Sequence, residues 1–242
     1  MPPASFFEHI ALVVHLDDLV DWGAWLRGPL GGRAAMGGVE PRAGFQGGQV
    51  TYPDGGMLEL ITWTPREPDA KPSANERYLA KQGGARAALH HLTFLVDDID
   101  AAIAHCESVG YAPMVGRQGR NWSEFFVKEP ALLPPGLLLQ VLRADKDALA
   151  KQGWRTDWEP FTQPALPAPA VRIEGVHLAC SDAAPARRVF TSLLGAEPEG
   201  DALRFGASSM RVWLHEGEAP SFGHVQLSER RGRPPVEADL FR

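Results

Sequence analysis

Residues 89–100, LHHLTFLVDDID, contain an apolar strand pattern that leads directly into the start of a helix. The segment is apolar up to Val96 except for its histidines and one threonine, and Asp97 or Asp98 can cap the next helix. Gly110 suits the left-handed position that ends a helix. One apolar face is formed, at steps of four and three, by Ile99, Ile103, Cys106 and Val109. The segment therefore predicts a strand, an acidic turn and an amphipathic helix.

The same pattern occurs three times along the chain. The first copy begins at His9 and its helix runs to about Gly31, whereas the third begins at Val176 and its helix runs to Gly195. Short strand-like stretches separated by glycine or proline follow each helix, so each unit reads as β-α-β-β-β. The strands predicted after the helices are residues 38–42, 48–52 and 57–63 in the first unit, 112–116, 122–128 and 136–142 in the second, and 202–207, 210–215 and 223–228 in the third.

These repeats divide the chain into four parts. Residues 1–65 form the first βαβββ module. Residues 66–144 contain a connector, with a short helix predicted at 75–82, and the second module, which pairs with the first. Residues 145–171 form a linker rich in proline and alanine, and residues 172–242 form a degenerate third module with a C-terminal tail. This organisation predicts an α+β fold.

Composition and charge exclude several classes of protein. Hydrophobic residues make up 44% and charged residues 22% of the sequence, as in globular proteins. The net charge of −6 argues against a nucleic-acid partner, and no apolar run approaches the ~20 residues that span a membrane. The N-terminus lacks the features of a signal peptide, and Cys106 and Cys180 are interpreted as two buried free thiols. We therefore expect a cytoplasmic protein.

Polar residues interrupt the apolar strands at matched positions in the first two modules. His9 opens the first strand of module one, and Glu59 interrupts its last strand 50 residues later. His91 and Gln140 stand in the same places of module two, 49 residues apart. The four side chains converge if the two modules pair about a pseudo-twofold axis.

A metal ion gives such a convergence a chemical reason. A carboxylate in an apolar strand is unfavourable by several kcal/mol unless a charge compensates it. Two imidazole nitrogens and two oxygens suit one divalent metal, either Zn, Ni, Co, Fe or Mn, with positions left open for water or substrate.

Two parts of the sequence resemble the vicinal oxygen chelate superfamily. They are Glu8–Val14 with Leu58–Ile61, and Leu89–Ala101, which is most similar to the glyoxalase-like and methylmalonyl-CoA epimerase-like branch. The resemblance implies a cupped mixed sheet of paired modules, with the metal at the bottom of the cup and a small-molecule carbonyl substrate. The ligand positions that it implies are His9, Glu59, His91 and Gln140. It leaves a homodimer open, because two-module relatives often dimerise.

The chain departs from the family pattern at two places. Family members usually carry a carboxylate where this chain has Gln140, and here the carboxylate is Glu59 in module one. Epimerases also present a glutamate shortly before the fourth strand of module one, whereas residues 44–48 contain Gln46 and no acid. Simple methylmalonyl-CoA epimerase activity is therefore not expected. His90 is interpreted as a neighbour of the metal site and not as a ligand.

The third module lacks the ligand pattern. Counting back from Asp182 places Gly175 where a metal-binding histidine would stand, and Trp213 or its neighbour falls where the carboxylate would be. His177 is displaced by two residues, so that it shares the strand face but not the position. We expect a structural role for this module, without a second metal.

The first functional hypothesis is a metal-dependent isomerase, epimerase or lyase that acts next to a carbonyl through a metal-stabilised enediolate. Glu59 is the candidate general base. Glu124 is a second candidate, although a position facing solvent is the expected one for it.

Two alternatives stay open at this stage. One is a non-haem Fe(II) extradiol-type dioxygenase, for which His9, His91 and Glu59 would supply two histidines and a carboxylate. The other is a non-catalytic protein that binds a small molecule such as an antibiotic without any requirement for metal.

Overall fold

The protein has a mixed α+β fold. The computed structural model describes residues 5–40, 44–53, 55–67, 69–128, 133–145, 148, 171–218 and 220–229. The strands are β1 Phe6–Val14, β2 Arg33–Glu40, β3 Phe45–Thr51, β4 Met57–Trp63, β5 Ala87–Leu95, β6 Met114–Val115, β7 Trp122–Lys128, β8 Leu138–Ala144, β9 Val171–Cys180, β10 Glu197–Glu199, β11 Ala202–Arg204, β12 Arg211–Glu216 and β13 Ser221–Glu229. The α-helices are α1 Leu19–Arg27, α2 Ala74–Lys81, α3 Ile99–Ser108 and α4 Ala183–Arg188; a 3-10 turn at Leu16–Asp18 precedes α1 and a π-helical turn at Val189–Leu193 follows α4.

Eight strands form one mixed sheet in the order β2-β3-β4-β1-β5-β8-β7-β6. Strands β1 and β4 are parallel, as are β5 and β8, and the remaining neighbours are antiparallel. At the centre of the sheet, His9 lies opposite Thr93 and Ala11 lies opposite His91. The two halves therefore repeat the same strand order outward from a pseudo-twofold axis between β1 and β5. This arrangement confirms the predicted fold class of paired βαβββ modules.

A second sheet contains the third module in the order β10-β11-β12-β9-β13. The two sheets share one apolar core, in which Phe7 and Phe94 of the first sheet pack against Phe205, at ring-centroid distances of 5.7 and 4.8 Å. Phe190 follows α4 and lies 6.1 Å from Phe205. Buried aromatic rings thus join the third module to the paired modules.

The predicted elements agree with the structure best where the sequence pattern is strongest. Strands 57–63 and 122–128 coincide with β4 and β7, and the helix predicted at 75–82 is α2. The first helix ends at Arg27, earlier than expected, because the following glycine and proline cannot continue a helix. The strand predicted at 112–116 is reduced to the two residues of β6.

Parts of the sequence-based division lie outside the described residues. They include most of the expected linker, residues 145–171, and the C-terminal tail from residue 230 onward. None of the helices in the described ranges is long and apolar enough to cross a membrane.

Helix α2 borders the concave face of the large sheet. Its Leu79 packs with Val13, Ile61 and Trp63 in a small apolar cluster beside the main core. Ser73 and Glu76 form a reciprocal capping box that fixes the start of this helix. The N-terminal turn of α2 is therefore held at the rim of the cup.

Candidate metal centre

The four predicted ligands lie on the central strands of the large sheet. His9 is on β1 and Glu59 on β4, where Glu59 lies opposite Ala11. His91 is on β5 and Gln140 on β8, opposite Thr93. Since alternate residues of a strand point to the same side, all four residues belong to one face of the sheet.

Three of the four side chains converge. The Oε2 atom of Glu59 lies 3.3 Å from Nε2 of His9 and 3.4 Å from Nε2 of His91. The candidate ligand atoms of the three residues all lie within 4.8 Å of one another. His9 and His91 are buried, with exposed fractions of 1% and 5%, and Glu59 is half-buried. The structure thus brings together two histidines and one carboxylate.

Gln140 is turned toward other partners. Its Oε1 atom accepts a hydrogen bond from the hydroxyl of Thr93 at 2.6 Å, and its Nε2 donates to Glu124 at 2.7 Å. The same Thr93 oxygen lies 2.8 Å from Nε2 of His9. In this arrangement Gln140 borders the three-residue cluster through Thr93. The sequence pattern did not single out Thr93, because a threonine in a strand is an ordinary residue.

The residue before each histidine contacts that histidine. Oε2 of Glu8 accepts from Nδ1 of His9 at 3.0 Å, and Nδ1 of His90 lies 2.8 Å from Nδ1 of His91. Glu8 is buried, with 3% exposed. In the sequence these contacts are visible only as the neighbouring pairs Glu8-His9 and His90-His91.

Burial and charge shift the pKa values of the cluster in opposite directions. Burial disfavours the charged form of His9, but the charges and hydrogen bonds of Glu59 and Glu8 outweigh it and raise the pKa of His9 to about 9. Burial also opposes the ionised form of Glu59, yet His9 and His91 hold its pKa well below the usual range. Burial lowers the pKa of His91, and burial followed by the charge of His91 lowers the pKa of His90 to about 3.

The side chains present fit a divalent metal. Nε2 of His91 is buried and has no hydrogen-bond partner among the described residues. A buried polar atom of this kind is unfavourable unless something binds it. Two imidazole nitrogens and a carboxylate oxygen are donors that first-row divalent metals prefer.

A cavity of about 700 Å³ opens in front of the cluster. Its walls include Phe45, Ile61, Asn75, Arg117, Trp122 and Phe126. Glu124 also faces this cavity, so the expectation that it points to solvent is wrong. Its Oε2 atom accepts from Nε1 of Trp122 at 2.9 Å and from Gln140, which together hold the carboxylate over the cavity. Gln46 is engaged elsewhere, donating to the carbonyl of Trp63 at 3.2 Å.

The third module places different residues at the corresponding positions. Gly175 lies opposite Gln226 and His177 opposite His224, between two bulges as in the β1–β5 pair. This register puts Gly175 at the position of His9, in agreement with the count along the sequence. The His177 ring stacks between Trp213 and His224, with centroids 4.5 and 4.2 Å away. Stacked rings occupy the place where modules one and two have their candidate ligands.

A family model described as the glyoxalase-like domain matches residues 7–194. The chain belongs to the glyoxalase-like family. The matched residues span both paired modules and the first strand and helix of the third. Membership of the glyoxalase-like family places the chain in the vicinal oxygen chelate superfamily, as the sequence motifs suggested.

The chain is similar to several solved structures at low sequence identity. A hypothetical protein from Staphylococcus aureus is 11% identical with a TM-score of 0.62, covering 96% of this chain and 94% of that one. A mutant of 4-hydroxymandelate synthase from Streptomyces coelicolor is 14% identical with a TM-score of 0.58, covering 94% and 71%. Methylmalonyl-CoA epimerase from Mycobacterium tuberculosis is 18% identical with a TM-score of 0.45, covering 60% and 91%. No curated protein matches the glyoxalase-like chain.

Proposed function

We propose that this chain is a metal-dependent enzyme that isomerises, epimerises or cleaves a small molecule next to a carbonyl group. The observation that carries the proposal is the convergence of His9, Glu59 and His91 at the floor of a cavity with a second carboxylate, Glu124, on its wall. Such an arrangement separates the residues that hold a metal from a residue that can move a proton.

His9, Glu59 and His91 would hold the ion. When bound, a divalent metal supplies the positive charge that stabilises a developing oxyanion on the substrate. Glu59 contacts both histidines through Oε2, so we assign it to holding the metal and not to proton transfer.

Glu124 is the proposed general base. Trp122 and Gln140 both donate to its Oε2 atom, and the backbone N–H of Arg117 lies 3.5 Å from its Oε1, so that the carboxylate is held on the cavity wall. A base in this position can remove a proton from the carbon beside a bound carbonyl and return it on the same or the opposite face.

Metal content tests the proposal directly. Elemental mass spectrometry on the untagged protein should find one equivalent of zinc, nickel, cobalt or manganese per chain, and His91→Ala should lose it because two donors remain. His215→Ala removes an exposed imidazole of the second sheet and serves as the matched control, which should retain the metal. A protein that takes up no metal under any reconstitution would favour a binding protein and sink the enzyme proposal.

If Glu124 is the general base, its loss should impair proton transfer without affecting metal binding. Carbonyl compounds such as 2-oxo acids, 2-hydroxy ketones and acyl thioesters can be screened in D2O for metal-dependent loss of the α-proton NMR signal. For a compound that exchanges, Glu124→Gln should slow exchange by about 10²- to 10⁴-fold while metal content is unchanged. Glu218→Gln, at an exposed position of the loop between β12 and β13, should have the wild-type rate. Equal rates for both variants would remove Glu124 from the mechanism.

A dioxygenase is the second candidate, and one observation favours it. The three converging donors are two histidines and one carboxylate, the set that holds Fe(II) in many oxygenases. Iron in the purified protein together with oxygen uptake on a catechol would select this reaction over the isomerase or lyase.

A further inference from the structure

Each candidate ligand histidine has its Nδ1 atom bound by the residue that precedes it in the sequence. For His9 that residue is Glu8, at 3.0 Å, and for His91 it is His90, at 2.8 Å. The same type of contact therefore occurs in both modules, on strands related by the pseudo-twofold axis. The contacting group is a carboxylate in module one and an imidazole in module two.

The contact with Glu8 fixes the orientation of His9. A carboxylate accepts hydrogen bonds and cannot donate them, so Nδ1 of His9 must carry the hydrogen. The other ring nitrogen, Nε2, then faces Glu59 at 3.3 Å and the Thr93 oxygen at 2.8 Å. Because the Thr93 hydroxyl donates to Gln140, Nε2 of His9 also carries a hydrogen, which a bound metal would replace. A ring rotated by half a turn would lose the bond to Glu8 and leave a buried carboxylate oxygen without it.

The contact between the two neighbouring histidines also has one consistent solution. Two Nδ1 atoms at 2.8 Å can form a hydrogen bond only if one of them carries a hydrogen and the other does not. If His90 donated, the hydrogen of His91 would sit on buried Nε2, whose acceptor neighbour Oε2 of Glu59, at 3.4 Å, is not placed to form a hydrogen bond with it. If His91 donates, its Nε2 keeps a lone pair directed at the cluster.

The accepting ring of His90 is held in place by α2. It packs edge-on against Tyr78 with ring centroids 5.0 Å apart, and the Tyr78 hydroxyl donates to the carbonyl of Leu89. The contact keeps Nδ1 of His90 directed at His91, so the helix at the rim of the cup acts on a ligand at its floor.

We propose that Glu8 and His90 are positioning residues that accept the Nδ1 hydrogen of His9 and His91, so that Nε2 is the nitrogen directed at the metal in both rings. The inference deepens the proposed function and rests on it, since the two contacts position side chains for metal binding. Such partners of metal ligands contribute about 10- to 100-fold to metal affinity.

The first test reads the hydrogen on His91 in the metal-free protein. Long-range ¹H–¹⁵N NMR on protein with ¹⁵N-labelled histidine should show His91 protonated at Nδ1 in the wild type. His90→Leu, which removes the acceptor, should shift His91 toward the Nε2–H form. His90→Asn should restore the wild-type spectrum, because its carbonyl oxygen can take the place of Nδ1. A wild-type protein with His91 protonated at Nε2 overturns the inference, even if the leucine variant fails to fold.

The second test measures zinc affinity by competition with a chelator. We expect His90→Leu and Glu8→Met to bind zinc about 10- to 100-fold more weakly. Glu8→Gln and His90→Asn keep an accepting oxygen and should stay close to the wild-type affinity. His105→Leu, on α3 and away from the cluster, is the matched control and should bind as the wild type. Unchanged affinity in both acceptor-deleting variants overturns the inference. A wild type that binds no zinc or other metal would instead refute the proposed function, while the NMR result still decides the form of His91.

Discussion

At the scale of single residues, the carboxylate of Glu59 balances the positive charge of the cluster that it forms with His9 and His91. Its Oε2 atom lies within 3.4 Å of ring nitrogens on two different strands, and Gln49 donates to its Oε1 at 3.3 Å. A carboxylate so placed is favourable only while positive charge or hydrogen bonds surround it. The two histidines and the carboxylate are therefore one unit, in which removal of any member leaves the others poorly compensated.

The two thiols allow a prediction on chemical reactivity. Cys106 and Cys180 are fully buried, and burial, with Glu107 in addition, raises the pKa of Cys106 to about 11. Burial raises the pKa of Cys180 as well. Because the thiolate is the reactive form, a raised pKa means that little of it exists until the pH nears 11. Native protein at pH 8 should not react with Ellman's reagent.

Unfolding provides the control for this prediction. In urea both cysteines should react, giving two equivalents per chain. Cys106→Ser and Cys180→Ser variants assign any early reaction to one site. Rapid native reaction of Cys106 would show that α3 opens far more readily than its burial indicates.

The sequence could predict part of the site because some of its residues break a strand pattern. His9, Glu59 and His91 are conspicuous as polar residues at matched distances in apolar strands, and the structure brings them together. The surroundings of Glu124 depend on the rotamers of Trp122 and Gln140 across neighbouring strands. No periodicity in a single strand encodes such contacts, so the direction of the Glu124 side chain could not be predicted.

At the scale of elements, strand patterns with turns on both sides were predictable and edge strands were not. Strands β4 and β7 have the predicted bounds. Residues of β4 are buried almost without interruption, and in β7 buried residues alternate with half-buried ones. Strand β6 has only two residues, both exposed, and pairs on one side only. With so little burial, the local sequence cannot specify where such a strand begins or ends.

Strand β9 contains a glycine beside its bulge that we expect no other residue to replace without loss of stability. Gly175 has a φ of +143°, and a Cβ atom there would lie 1.9 Å from the carbonyl oxygen of Arg211 on β12. Gly175→Ala must therefore displace the parallel strand as well as strain the backbone. We expect a loss of at least about 3 kcal/mol in the free energy of unfolding, measured by urea titration.

Gly200→Ala separates the two causes of that loss. Gly200 also has a positive φ, of +64°, but nothing lies within 4 Å of a Cβ built there. This variant should lose only about 1 kcal/mol, from backbone strain alone. If both variants lose the same amount, close packing of β9 on β12 does not govern the stability of the second sheet.

At the scale of the whole molecule, the two sheets form one unit because aromatic rings from both meet in one core. Sequence repeats indicate that three modules exist, but they contain no information on which outer surface of the paired modules the third one covers. That choice depends on shape and on rings far apart in the sequence, such as Phe7 and Phe205. Pattern within one module cannot predict it.

Phe205 provides the test of this shared core. Its side chain is fully buried and contacts the rings of Phe94 and Phe7 from the large sheet and Phe190 from the third module. Phe205→Ala should destabilise the protein by about 3–5 kcal/mol through lost contacts and the cavity left behind. Because both sheets depend on the same rings, calorimetry should show one transition, displaced as a whole to lower temperature. Phe6→Ala, at a residue that is 36% exposed on β1, is the matched control and should lose no more than about 1 kcal/mol. Two separate transitions, of which only one moves, would mean that the third module folds independently of the paired modules.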